Sequence, residues 1–284
     1  ATDAAPSAAL PPSVDFSGAA YGRMLHELSK RVDIEGCMAI EVEVKADVAA
    51  TVTRSSAGVQ RNAPKVLVLT PMKNTAQHLD RYFTLLQSLD HPPDRLSVAI
   101  MEGDSTDGTS AALQAWRSRL DGRFARVELH QHHTGFQPGS ARWRKEVQRE
   151  RRSIIAEARN RLLAASLRDE DWVLWLDADL VDYPRDLLQA MLATGRDIVA
   201  PLCVLPDGRV FDMNTFCFHP DRAAAERPDY LFDGIYQPPT ATGRVYLDAF
   251  ADQSLVALDG VGGTALLVRA DLHRRGLNFP TYSH

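Results

Sequence analysis

The chain is poor in cysteine: Cys37, Cys203 and Cys217 are the only three in 284 residues, widely separated, with no C-x-x-C pair. This excludes a disulfide scaffold and a zinc finger, leaving Cys203 with Cys217 as the one bridge to consider. No run of about 18 apolar residues occurs, so no segment reads as a membrane-spanning helix. A strong excess of one charge is also missing. A net charge of -5 gives no bulk reason to expect nucleic acid and points instead to a small-molecule or glycan partner. G-x-x-x-x-G-K-[ST], G-x-S-x-G and H-E-x-x-H are absent, which leaves P-loop hydrolysis, serine hydrolysis and zinc proteolysis without support.

What is present is a hydrophobic content of 45% against 24% charged residues, enough for one sizeable core. The Ala-, Pro- and Ser-rich start reads as a flexible stalk over residues 1–18. Residues 19–63 read as an appendage, with a helix over 21–32 and a strand over 40–48, where Ile40, Val42 and Val44 alternate with Glu41, Glu43 and Lys45. From residue 64 to 284 short apolar runs alternate with helical patterns. Strands are expected at 66–69, 98–101, 127–129, 173–176 and 198–204, with helices at 76–89, 107–120, 150–167 and 185–194. This is an α/β pattern: a mostly parallel central sheet with helices on both faces. Ligands of such sheets collect at the carboxyl ends of the strands.

The run Trp172-Val173-Leu174-Trp175-Leu176 fits a strand buried on both faces, and it empties into Asp177-Ala178-Asp179. With a period of two, Asp177 and Asp179 project to the same side, where repulsion and desolvation favour a divalent cation as partner. An isolated D-x-D is more often a strand end followed by a helix cap, but here the other strand ends carry what a nucleotide diphosphate needs. After the first strand come Pro71, Lys73 and Asn74, suited to a base or phosphate. After the second comes Asp104, suited to a ribose hydroxyl or a base N–H and equally to a helix-capping role. The helix leading into the tryptophan-rich strand sets Arg152, Arg159 and Asn160 opposite its apolar stripe, with the guanidinium groups suited to a diphosphate. An all-oxygen site with few protein ligands suits Mg²⁺ or Mn²⁺.

Leu258-Asp259-Gly260-Val261-Gly262-Gly263 precedes a strand, whereas a dinucleotide glycine motif follows one, so a Rossmann fingerprint is rejected. Gly262 and Gly263 instead suit close approach of backbone to a sugar or phosphate, with Asp259 near a hydroxyl and Asp212 and Asn214 as a further polar pair. His130, His132 and His133 are read as strand residues rather than metal ligands, having no flanking acids in sequence.

The ordered succession of 66–74, Glu102 to Asp107, Ala158-Arg159-Asn160, Trp172 to Asp179, Phe211-Asp212-Met213-Asn214 and Leu258 to Gly263 resembles the fungal mannan-polymerase α-mannosyltransferases. The resemblance implies a GT-A fold, GDP-mannose as donor, Mn²⁺ (or Mg²⁺) as cofactor, a mannoside or glycan acceptor, and a retaining transfer. It further implies assembly with itself or related subunits, and a Golgi-lumenal setting through a removed type II anchor; a bacterial relative would be cytoplasmic. Family members carry a further segment with a metal-ligating histidine, and this chain ends short of it at His284, so residues 64–284 are expected to be a C-terminally truncated catalytic domain. On this reading Asp177 and Asp179 hold the metal, Asp259 joins them as a catalytic residue, and Pro71, Lys73, Asn74, Asp104, Arg152, Arg159 and Asn160 bind the donor. Asp212, Asn214, Gly262 and Gly263 serve the sugar or acceptor. No convincing carboxylate nucleophile is visible, which favours front-face attack. Alternatives are a transferase using another nucleotide sugar and a non-catalytic scaffold subunit.

Overall fold

A computed structural model of the chain describes residues 40–43, 63–137, 144–223, 231–232, 235–236 and 242–281. All of them lie in the compact unit Cys37–His284. The stalk and the helix expected at 21–32 fall outside the described residues.

The strands are β1 (Ile40–Glu43), β2 (Val66–Met72), β3 (Leu96–Glu102), β4 (Arg126–Gln131), β5 (Trp172–Leu176), β6 (Leu180–Asp182), β7 (Ile198–Val199), β8 (Leu202–Val204), β9 (Phe216–Ala223), β10 (Leu231–Phe232), β11 (Ile235–Tyr236), β12 (Thr242–Tyr246) and β13 (Ala265–Arg269). The helices are α1 (Leu79–Ser88), α2 (Thr109–Leu120), α3 (Lys145–Ser166), α4 (Leu187–Ala193) and α5 (Ala270–Arg274). The central sheet has six strands in the order β4-β3-β2-β5-β13-β7. β2, β3, β4 and β5 pair in parallel, while β13 runs antiparallel to both β5 and β7.

Strand period two sorts the core into two layers. Val66, Val68, Val98, Ile100 and Leu174 meet Phe83 and Leu86 of α1, Leu113 of α2 and Leu188 of α4. The alternate residues Leu67, Leu69, Ala99, Val173 and Trp175 meet Leu162 and Leu163 of α3 and Ala270 of α5. Burying each valine, leucine, isoleucine or phenylalanine side chain among these contributes roughly 1.5–3 kcal/mol before chain entropy is set against it. The expected α/β sheet covered on both faces is therefore present, with a parallel βα series feeding an Asp-Ala-Asp turn.

The order of strands fixes where a ligand belongs. From β2 the chain steps outward to β3 and β4, and α3 then carries it back across the opposite face to place β5 on the other side of β2. The topology thus reverses between β2 and β5, and the crevice at the carboxyl ends of those two strands is the binding position of an open α/β sheet. Lys73 lies just beyond one of these ends and Asp177 just beyond the other.

Element boundaries differ from expectation in informative ways. The first helix opens with a 3-10 turn, Ala76–His78, before α1 begins at Leu79. The run expected as one strand over 198–204 is two: β7 joins β13 in the central sheet, and β8 joins β1 in a separate three-stranded sheet with β6. Pro201 lies between them and has no N–H to continue a ladder. The described part of the strand expected over 40–48 is β1, which pairs in parallel with β6, directly beyond Asp179, and antiparallel with β8.

Candidate active site at the sheet switch point

Asp177 is the first residue past β5, and its amide donates to the Thr264 carbonyl at 2.9 Å, so the acidic strand end is stitched to the turn that opens β13. Arg159 of α3 reaches the same point. Its Nη2 lies 3.2 Å from Asp177 Oδ1 and 3.2 Å from the Gly263 carbonyl. The guanidinium also lies 5.0 Å from the Phe279 ring and 6.0 Å from the Trp175 ring. A Cβ at residue 263 would overlap this guanidinium, and one at residue 262 would overlap the Asp212 carboxylate. The glycine pair is therefore needed for close approach: of Asp212 on one residue and Arg159 on the next.

Burial pushes the Asp177 carboxyl up to about 7; Arg159 opposes the rise, and the nearby Asp179 and Asp212 charges add to it. About a third of the Asp177 side chain still reaches solvent, so one part of the carboxylate is open to a ligand. Asp179 also bears electrostatically on His78, whose pKa burial lowers and Asp179 raises. Asp212 is buried, and its Oδ1 accepts from the Asn214 amide at 3.1 Å; the Asn214 side chain is exposed. The Gly262 amide donates to Thr215 Oγ1 at 2.9 Å. Asp259 is exposed, and its Oδ2 accepts from the Phe218 amide at 2.6 Å. Asp177, Asp179, Asp212, Arg159, Gly262 and Gly263 are thus brought together, while Asp259 sits at the edge on the β9 backbone.

The β2 and β3 ends form a second cluster. Asn74 and Asp104 are the non-glycine residues with left-handed backbones among those described, at φ 52° and 57°. Such strained positions concentrate at functional sites. Asn74 Oδ1 accepts from the Thr106 amide at 2.8 Å, and the Asn74 amide donates to Ser105 Oγ at 3.0 Å, locking the two strand ends together. Asp104 Oδ2 accepts from the Thr134 amide and hydroxyl, both at 2.8 Å, and from the Gly135 amide at 3.0 Å. Burial works to raise the Asp104 pKa, but these hydrogen bonds and the Lys73 charge outweigh it and hold it low. Lys73 Nζ donates to the Phe136 carbonyl. Pro71, partly buried, lies within β2 two residues before Lys73.

Arg152 lies two turns before Arg159 on the same helix face. Surrounding protein, and then the like charge of Arg244, lower its pKa; Arg244 itself stacks 4.4 Å from the Phe216 ring. Asn160 spends its carboxamide on backbone: Nδ2 donates to the Phe279 carbonyl at 2.7 Å and Oδ1 accepts from the Phe279 amide at 2.9 Å. The three histidines near β4 pair locally, His130 with Ser166, His132 with Glu157 and His133 with Asp104. Cys203 and Cys217 are both free thiols, so the bridge considered from sequence is not formed.

Sequence reasoning passed over Thr215, Thr264, Phe216 and Phe279. Each acts through backbone contact or ring stacking and carries no signal of spacing.

An α/β sheet of this order sets its acidic turn at the switch point, where open sheets of this kind bind their ligands. The chain belongs to the Anp1 family, whose model matches residues 45–283. It is 31% identical over 252 residues to the mannan polymerase complex subunit mnn9 of Schizosaccharomyces pombe, covering 81% of this chain and 74% of that protein. It is 27% identical over 244 residues to the mannan polymerase II complex ANP1 subunit of Saccharomyces cerevisiae, covering 77% of this chain and 48% of that protein, about half its length. Among solved structures, the mannosyltransferase PcManGT from Pyrobaculum calidifontis, in complex with GDP-Man and Mn²⁺, aligns at 16% identity and a TM-score of 0.42, over 93% of this chain and 57% of that one.

Proposed function

We propose that this chain is the catalytic domain of a metal-dependent glycosyltransferase that moves mannose from GDP-mannose to a mannoside or glycan acceptor with retention. The observation that carries the reading is the gathering of Asp177, Asp179 and Asp212 at the sheet switch point, close enough that Asp179 and Asp212 raise the Asp177 pKa. The names of its relatives, subunits of mannan polymerase complexes, support the choice of sugar and assembly with related subunits.

The residues fit a hard divalent cation. Asp177 and Asp179 offer oxygen only, and mutual repulsion among the carboxylates is the condition a dication relieves. Among the described residues no three His, Cys, Asp or Glu side chains are placed to hold a metal ion together. Two aspartates with the remaining positions filled by donor phosphate oxygens match the habit of Mg²⁺ and Mn²⁺. A divalent cation held by Asp177 and Asp179 would supply positive charge to offset that building on the departing diphosphate.

The protein's own groups do the rest. Arg159 keeps Asp177 in register with the β5 end, and the bare backbone at Gly262 and Gly263 makes room for Asp212 and Arg159 beside the acidic turn, where Asp212 is the group to accept a sugar hydroxyl. Arg152 offers its guanidinium to a phosphate. Lys73, Asn74 and Asp104 line the nucleotide side of the crevice, where the Asp104 carboxylate is suited to a pair of ribose hydroxyls. Asp259, at the rim, faces acceptor rather than donor.

The test is thermal stabilisation by a panel of nucleotide sugars with and without Mn²⁺, followed by release of GDP from GDP-mannose. Stabilisation by GDP-mannose that requires Mn²⁺, together with GDP release, supports the reading. Stabilisation without turnover, in wild type and in every assembly with related subunits, replaces it with a non-catalytic scaffold subunit.

A further inference from the structure

The adjacent residues Arg159 and Asn160 leave α3 toward different targets that meet again at one place. Asn160 grips both backbone atoms of Phe279. The Phe279 ring lies 5.0 Å from the Arg159 guanidinium on one side and 5.0 Å from the Trp175 ring, edge to face, on the other. The Ser153 hydroxyl adds a hydrogen bond to the Thr281 carbonyl, so the segment around 279–281 is fastened to α3 at two points. Phe279 is thereby a cover over Arg159 whose placement is set by Asn160.

Arg159 is in turn confined. Only 15% of its side chain is exposed, a Gly263 Cβ would overlap it, and its buried Nε has no acceptor among the described residues. Its hydrogen bonds go from Nη2 to Asp177 Oδ1 and the Gly263 carbonyl. A buried guanidinium left without a carboxylate costs several kcal/mol, so this geometry is held firmly. Asp177 Oδ2 accepts no hydrogen bond among the described residues, and the carboxylate retains about a third of its exposure.

We propose that Arg159 and Asn160 are coupled positioning residues: Asn160 holds Phe279 over Arg159, and Arg159 occupies one oxygen of Asp177, so that the other oxygen alone is presented for a cation shared with Asp179. The inference rests on the reading of Asp177 and Asp179 as the cation-binding pair, and it assigns to Asn160 no contact with the donor. With Oδ1 so occupied, a cation there would meet a single Asp177 oxygen and would keep more positions open for phosphate oxygens.

The experiment keeps charge constant. Asn160→Ala, Arg159→Lys and the double variant are titrated with Mn²⁺ alone, following loss of the free-ion paramagnetic resonance signal, with circular dichroism as the check on folding. Each single change is expected to weaken Mn²⁺ binding about tenfold, the size of an outer-shell effect. The double variant is expected to be no weaker than the poorer single one, because both act through the same carboxylate. Phe279→Leu, which keeps an apolar cover but loses the ring, should fall between wild type and Asn160→Ala. Wild-type affinity in Asn160→Ala, or losses that multiply in the double variant, overturns the coupling. If wild type itself binds no Mn²⁺, the metal reading under the proposed function fails, and the coupling is then judged in metal-free protein by a double-mutant cycle on unfolding. There, non-additive destabilisation by Asn160→Ala and Arg159→Lys upholds it and additive destabilisation overturns it.

Discussion

Asp212 and Gly262 touch so closely that residue 262 has no room for a Cβ: the carboxylate of the one occupies the place where the side chain of the other would begin. Gly262→Ala must therefore displace Asp212 or the turn itself. The expected result is a stability loss of about 1–3 kcal/mol in urea unfolding, typical of overpacking, with a disproportionate loss of sugar transfer. Full transfer activity in the variant would show that the position of Asp212 does not matter to the reaction.

Asp179→Ala removes one of the three acidic groups gathered at the switch point while sparing the hydrophobic layers. Transfer from GDP-mannose in the presence of Mn²⁺ should fall by about 10²-fold or more, the scale of removing one electrostatic contributor in a closed site. The melting temperature should stay close to that of wild type. Retained turnover with metal present would remove Asp179 from the mechanism.

Glu170, 3% exposed, accepts from Arg126 at 2.6 Å and from the Arg168 amide at 2.8 Å. Burial would raise the carboxyl, but the hydrogen bonds from the Arg168 amide, Arg126 and the Ser97 hydroxyl outweigh it, so the folded pKa is depressed. The sign follows: the contribution is present above the unfolded value of roughly 4.3 and is lost as pH falls through the folded pKa. Glu170→Gln should cost about 2 kcal/mol at pH 7, as for a hydrogen bond to a charged group. The gap between wild type and variant in denaturant titrations should narrow as pH drops below about 4. A gap that widens on acidification contradicts the assignment.

Thr70 and Tyr82 join hydroxyls at 2.6 Å in the core between β2 and α1. Tyr82→Phe leaves the Thr70 hydroxyl without that partner and is expected to cost about 1 kcal/mol. Adding Thr70→Val should recover part of the loss, since no orphaned polar group then remains. Losses that simply add in the double variant would mean that the pair is not acting as a unit.

The layers and the acidic centre were legible because each has a periodic cause. Trp172 to Leu176 reads as a doubly buried strand from composition alone, and period two then places Asp177 and Asp179 together; the structure has β5 buried throughout and the acids just beyond it. The glycines at 262 and 263 were recognised as sites of close approach, but not what approaches, since Asp212 and Arg159 arrive from distant elements. Asn160 shows the limit most plainly: beside an arginine on a polar helix face it reads as a ligand for a donor, and only the fold places the Phe279 backbone against its amide. The break at Pro201 was written in the sequence and was outweighed by the apolar residues around it.

Because β13 lies antiparallel to β5, the residues that leave one strand sit beside those that enter the other, and the Asp177 amide closes that join on Thr264. Everything the chain does between those two points is an excursion with both feet planted next to the acidic turn. A change of length in that excursion leaves its two ends where the β5–β13 pairing holds them, so it can reach the acidic turn only through the residues it brings there.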